Sequence, residues 1–331
     1  MAAVLVTRRI FPEAIALLER SGLSCRHHEQ EIPLLPADLR DALASARALI
    51  ASLGDRVDGD LLDAGPALEI VANVAVGHDN IDLDAATARG IVVTNTPDVL
   101  TETTADLAFA LLLACARRIP EADRFMRAAR FRGWELFQPL LGADVHGRTL
   151  GIVGMGRIGL AVARRGALGF GMQVLYVSRQ AHAEAERELG ARRVELDSLL
   201  AESDFVSLHL PLTPETRGMF TLREFARMKR TAFLVNTARG GLIVEGDLVQ
   251  ALTDGLIQGA GLDVFEDEPR MHPGLAKLEA HLVVAPHLGS ATVDTRRRMA
   301  MTAAENVVAA LAGSCPPNAL NPEAWPARRR R

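Results

Sequence analysis

Three cysteines in 331 residues, Cys25, Cys115 and Cys315, are too few and too widely spaced for a disulfide framework. None belongs to a CxxC pair, so thiolate metal binding is not suggested either, and the scarcity fits a reducing cytoplasm. Long apolar runs are also missing. The most apolar stretch, LAFALLLACA from Leu107 to Ala116, is bracketed by Asp106 and Arg117, too short to span a bilayer, and reads as a buried helix. The N-terminal MAAVLVTRRIF passes from a brief apolar run straight into charge, unlike a secretory signal, and AVLVT reads as a first strand. No sign of charge dominates: 37 Lys and Arg face 41 Asp and Glu, for a net charge of -4. Neither a nucleic-acid partner nor a membrane surface is expected. The one basic cluster, the terminal ARRRR, reads as a solvated tail. There is no internal repeat, no low-complexity linker and no HExxH, so no metal is expected.

What is present is enough for two ordinary domains, with 49% hydrophobic and 24% charged residues. Short β-type runs alternate with helical patterns throughout, the signature of parallel sheets with crossover helices. The first series is AVLVT (3–7), ALIAS (48–52), EIVANV (69–74) and IVVTN (91–95). A helix in FPEAIALLERSG is stopped at Gly22. After a long helical region through TETTADLAFALLLACARR and PEADRFMRAARFRGW, a second series of six strands follows: TLGIVGM, QVLYVS, DFVSLHL, AFLVNTA, AGLDVF and HLVVAP. The last helix, from about residue 291 to 311, has no obvious place in the second sheet and is expected to return to the first. The change of strand series places boundaries near Pro97 and Pro286, giving one domain of residues 1–98 and 286–331 and another of 99–285.

Gly154, Gly156 and Gly159 form GxGxxG between a strand and an Ala/Arg-rich helix. Glycines at this turn let the backbone approach a pyrophosphate, and the helix N-terminus offers N–H groups and partial positive charge. Arg157 and Ile158, inside the loop, are expected at the phosphates. About 20 residues on, where an acid would bind the ribose hydroxyls of NAD, stand Ser178 and Arg179, with no acid until Glu184. A hydroxyl and a guanidinium suit a 2′-phosphate, so NADPH is expected to be preferred, with NADH possible.

Three further residues follow strand ends: Arg239 in NTARG, Glu268 in DVFEDEP and His287 in APHLGS. A guanidinium, a carboxylate and an imidazole are what reduction of a 2-keto acid needs. Arg239 binds and polarises the substrate, His287 gives a proton to the carbonyl oxygen, and Glu268 orients His287 and keeps it protonated.

The segments VGHDNIDLDAATARGI, TTADLAFALLL, LVNTARGGLIVE, GLDVFEDEP and APHLGSAT, together with those above, resemble the D-isomer-specific 2-hydroxyacid dehydrogenases from about Leu49 to Ala319. GADVHGRTLGIVGMGRIG, PDVLTET and AESDFV are most similar to the group of glyoxylate/hydroxypyruvate reductases also known as 2-ketogluconate reductases. The resemblance implies a Rossmann NAD(P)-binding domain inserted into a flavodoxin-like substrate domain, both doubly wound parallel sheets. It implies reduction of glyoxylate, hydroxypyruvate or 2-ketogluconate to D-2-hydroxy acids, with Arg239, Glu268 and His287 as the catalytic set. Asp263 would hold the nicotinamide carboxamide, Thr104 a pyrophosphate oxygen, and Thr237, Ala238 and Ser290 further parts of the cofactor. The N–H groups of Val76 and Gly77 would receive the substrate carboxylate beside the apolar wall of Leu53. His78 stands where similar reductases carry Tyr, Phe or Ile. Homodimerisation through the region 101–134 is implied, with Trp134 completing the partner subunit's pocket. Two other readings share the pattern. Phosphite-oxidising dehydrogenases place lysine where Val76 stands, and nicotinamide-sensing co-repressors carry the same catalytic residues with added terminal segments.

Overall fold

The structure is a computed structural model that describes residues 3–278 and 280–328, so most of the ARRRR tail lies outside the described residues. The chain forms two compact units: Met1–Leu100 with Thr292–Arg331, and Thr101–Ala291. The second unit is therefore a continuous insertion in the sequence of the first.

In the first unit β1 (Val4–Val6), β2 (Cys25–His27), β3 (Ala48–Ala51), β4 (Ile70–Asn73) and β5 (Val92–Thr94) make a wholly parallel sheet. Its order is β2-β1-β3-β4-β5, that of flavodoxin-like sheets. Every residue of β3 and β4 is buried, which is why ALIA and IVAN show no polar alternation. Each expected strand is present, trimmed at its ends. β2 was not anticipated, because Cys-Arg-His is a polar edge segment without an apolar pattern. The helix Pro12–Arg20 starts on proline and stops at Gly22, whose φ of +78° is left-handed. There the Gly22 N–H reaches Glu19 O at 2.9 Å and the Leu23 N–H reaches Leu18 O at 3.1 Å, satisfying the last carbonyls. The final helix, Val293–Leu311, packs on Pro12–Arg20, and its Ala303, Ala304 and Val307 share a core with Val4, Val6 and Ile50.

The second unit is a seven-stranded parallel sheet of β6 (Thr149–Val153), β7 (Gln173–Val177), β8 (Arg192–Arg193), β9 (Phe205–Leu208), β10 (Phe233–Asn236), β11 (Gly259–Leu262) and β12 (Leu282–Val284). Seven strands replace the six expected. The extra one, β8, is two exposed arginines at the edge and carries no apolar signal. The order is β12-β11-β10-β9-β6-β7-β8, so it reverses between β6 and β9. The carboxyl ends of those two strands form the crevice where doubly wound sheets take ligands.

The helix Thr101–Ala116 is buried against β10 and β11, with the Cys115 thiol donating to Ala260 O at 3.2 Å. A Cβ at Gly261 would lie 3.0 Å from Leu111 Cβ, so glycine lets this helix close on the sheet. Among the described residues no helix is long and apolar enough to cross a membrane. The following helix, expected to run on to Trp134, ends at Arg127. Ala129 and Gly133 take left-handed φ values of +52° and +149°, which helical backbone does not accommodate.

Candidate active site

At the end of β6, Gly154 adopts φ +103° and its missing Cβ would sit 2.6 Å from His209 O at the end of β9. Gly159 packs on Gly154 O so closely that any side chain would collide. Gly156 faces open space and is the N-cap of the helix Arg157–Arg164, with no side chain of its own to cap it. Two glycines thus close the turn and the third leaves its face open to a phosphate, which fits a dinucleotide. Arg157 is exposed there and Ile158 is half-buried against the core. Burial pushes the His209 imidazole down to about 3, so it stays neutral while sharing a 2.8 Å hydrogen bond with Ser207 Oγ.

β7 delivers Ser178, half-buried, and Arg179, exposed. The sequence did not single out Arg193 on β8, yet its guanidinium donates to Ser178 O and Arg179 O, both at 3.0 Å. Parallel pairing of Tyr176 with Arg193 makes that reach possible. Glu184, the first acid downstream, is engaged by Arg164.

The catalytic candidates gather at the carboxyl ends of β10, β11 and β12. Arg239 follows β10, where Asn236 Nδ2 donates to its carbonyl at 2.9 Å and Asn236 Oδ1 accepts from the Ala238 N–H at 3.0 Å. Gly240 lies directly on the backbone of Phe265, leaving no room for a Cβ and bringing the loops of Arg239 and Glu268 together. Glu268 accepts from the Phe265 N–H at 3.0 Å through Oε1 and from His287 Nδ1 at 2.8 Å through Oε2. Burial alone would raise the Glu268 carboxyl. The His287 hydrogen bond and charge, the Phe265 N–H and the charge of Arg239 outweigh it, so the group is held below its ordinary range.

His287 has a left-handed φ of +54°, fixed by its N–H to Asp263 O at 2.9 Å. Asp263 is fully buried and accepts from the Leu288 N–H at 2.6 Å and the Gly289 N–H at 2.8 Å. Burial raises its carboxyl despite those bonds. In this structure Asp263 thus holds the His287 loop. Thr104 donates to Gly289 O at 3.1 Å, while Ser290 is half-buried beside it. Thr237 is buried with a hydroxyl that makes no hydrogen bond to any described residue, and Ala238 next to it is half-buried. An unpaired buried hydroxyl at a sheet's carboxyl end suits a polar ligand atom. Among the described residues no three His, Cys, Asp or Glu side chains gather as metal ligands.

Leu53, Val76 and Gly77 lie in the first unit, half-buried, on the loops that follow β3 and β4, with His78 exposed. Trp134 is 77% exposed, in the loop after the helix Ile119–Arg127.

Residues 109–289 match the NAD-binding domain of the D-isomer specific 2-hydroxyacid dehydrogenases. A protein named glyoxylate reductase from Korarchaeum cryptofilum is 50% identical over 323 residues, covering 97% of this chain and 96% of its own. The solved TT0316 protein of Thermus thermophilus is 45% identical with a TM-score of 0.89, covering 96% of this chain and 99% of its own. The NADPH-dependent glyoxylate/hydroxypyruvate reductase of Sinorhizobium meliloti, solved with NADP and malonate, is 35% identical with a TM-score of 0.84, covering 99% and 98%. With its glycine turn, its arginine, acid and histidine at strand ends, and this likeness over nearly its whole length, the chain belongs to the D-isomer specific 2-hydroxyacid dehydrogenase family and is an NAD(P)-dependent dehydrogenase.

Proposed function

We propose that the chain is a cytoplasmic homodimeric reductase of small 2-keto acids, acting on glyoxylate, hydroxypyruvate and 2-ketogluconate with NADPH preferred over NADH. The observation that carries this reading is the 2.8 Å bond between His287 Nδ1 and Glu268 Oε2, with the Glu268 loop packed against that of Arg239 at Gly240. With Nδ1 committed to the carboxylate, Nε2 is the nitrogen left to give a proton to the carbonyl oxygen. Arg239 draws electron density toward that oxygen, and Glu268 orients the ring through its hydrogen bond with Nδ1. The bound nicotinamide supplies the hydride. Substrate carboxylate goes to the N–H groups of Val76 and Gly77, with Leu53 as the apolar wall. Relatives named glyoxylate reductase, and one named glyoxylate/hydroxypyruvate reductase, support the substrate class.

NADPH preference is supported by Ser178 and Arg179, by the Arg193 bonds that hold both carbonyls, and by the engagement of Glu184 elsewhere. The homodimer is supported by exposed apolar residues in one segment, among them Phe131, Trp134, Leu136, Phe137 and Leu141.

A matrix of kcat/KM values for the three acids with each cofactor, in the wild type and Arg179→Ala, tests the reading. Arg179→Ala is expected to lower NADPH efficiency about 10- to 100-fold and leave NADH nearly unchanged. Equal losses with both cofactors would remove the 2′-phosphate assignment, and absence of turnover with all three acids would remove the substrate class.

A further inference from the structure

The loops after β3 and β4 are joined by a side-chain network in which one asparagine is central. Asn80 Nδ2 donates to Ser52 O and Asp55 O, both at 3.1 Å, and to Asn73 Oδ1 at 3.4 Å. Asn73, the last residue of β4 and fully buried, donates in turn to Gly77 O at 2.9 Å and Asn80 Oδ1 at 3.2 Å. Asn95 donates to Val76 O at 2.9 Å. Both carbonyls of the Val76–Gly77 turn are therefore pinned by side chains, whereas the N–H groups of the two residues donate to no described residue.

The other loop is fixed just as firmly. Asp55 is 5% exposed and accepts from Thr7 Oγ1 at 2.6 Å, the Ser52 N–H at 2.7 Å and Ser52 Oγ at 3.0 Å, with Arg8 Nη2 at 3.4 Å. The Asn80 side chain joins the two loops, through Ser52 and Asp55 on one side and Asn73 on the other, beside the backbone bonds from the Val57 N–H to Asn80 O at 2.9 Å and from the Asp82 N–H to Val57 O at 2.8 Å.

We infer that Asn80 is a positioning residue for substrate binding, clamping the Ser52–Asp55 loop to the Val76–Gly77 turn so that two unpaired N–H groups and the Leu53 side chain are held in register for a carboxylate. This rests on the reading that the Val76 and Gly77 N–H groups receive the substrate carboxylate. Only a carboxamide fits the network, because the site needs a donor toward two carbonyls and an acceptor toward Asn73. Asn80→Asp preserves shape but turns an acceptor-only group onto Ser52 O and Asp55 O.

The test compares the wild type with Asn80→Asp and Asn80→Ser, measuring kcat and KM for glyoxylate, the calorimetric Kd of oxamate at saturating NADPH, and the Kd of NADPH alone. A clamp acting on carboxylate binding raises glyoxylate KM and oxamate Kd about tenfold in both variants, changes kcat far less, and leaves the NADPH Kd in place. Asn321→Ala is the stability control. That side chain accepts from the Val93 N–H at 2.8 Å and donates to Ile91 O at 3.0 Å in the same unit, so its loss lowers Tm without moving KM. An equal rise of KM in Asn321→Ala, or unchanged oxamate Kd in both Asn80 variants, overturns the clamp. Val76→Pro, which deletes one of the two N–H groups, separates the layers. If it weakens oxamate and the Asn80 variants do not, the clamp alone fails. If it leaves oxamate binding unchanged, the carboxylate reading fails and the clamp falls with it.

Discussion

The Glu268 carboxyl is held below its ordinary range, since the His287 hydrogen bond and charge, the Phe265 N–H and Arg239 together outweigh its burial. Ionised, it accepts from His287 Nδ1 and orients the ring proposed to give the proton, so reduction should weaken as pH falls through the lowered Glu268 value. Glu268→Gln keeps a hydrogen-bond partner and removes the charge. The acid limb of the reduction profile is then expected to disappear and kcat to fall, with the proton donor still present. His287→Ala, by contrast, should lower kcat on the order of 10²–10⁴ at every pH. An unmoved acid limb in the glutamine variant would mean that the Glu268 titration does not govern reduction. The same depression has a stability sign: a carboxyl lowered in the folded state stabilises above its ordinary pKa, and the contribution is lost as pH falls through the lowered value.

At the scale of elements, what the sequence discloses is whatever backbone geometry or burial forces on it. Gly154 and Gly159 are readable because no side chain fits against His209 O or Gly154 O. β3, β4 and the Thr101–Ala116 helix are readable because complete burial demands apolar runs. Arg239, Glu268 and His287 stand out through residue type after strands, and the last two are hydrogen-bonded at 2.8 Å. The edge strands β2 and β8 are not legible, for Cys-Arg-His and Arg-Arg carry no pattern and are strands only because a neighbour pairs with them. Arg193 is hidden for the same reason, since its reach to Ser178 and Arg179 depends on the register of β7 with β8. Asn80 is hidden because its partners at Ser52 and Asp55 are 28 and 25 residues away. The overlong second helix shows the limit of periodicity: nothing in RAARFRGW signals that Ala129 turns left-handed.

At the scale of the molecule, Trp134 at 77% and Phe137 at 83% exposure leave large apolar side chains in water. An aromatic anchor of this kind can bury about 150–250 Å² against a partner, and the segment is proposed to meet its counterpart in a second subunit. The mass in solution is then expected to be about twice 35.6 kDa. Mixing impaired Arg239→Ala subunits with impaired Trp134→Ala subunits should restore activity through hybrids that pair an intact Arg239 with a donated Trp134. Hybrids that form without recovery would confine Trp134 to its own subunit. Stereospecific reduction at a 2-keto group is tested most directly by the configuration of the product. With hydroxypyruvate and NADPH, chiral analysis is expected to find D-glycerate alone; L-glycerate, a racemate or no glycerate at all would contradict the account.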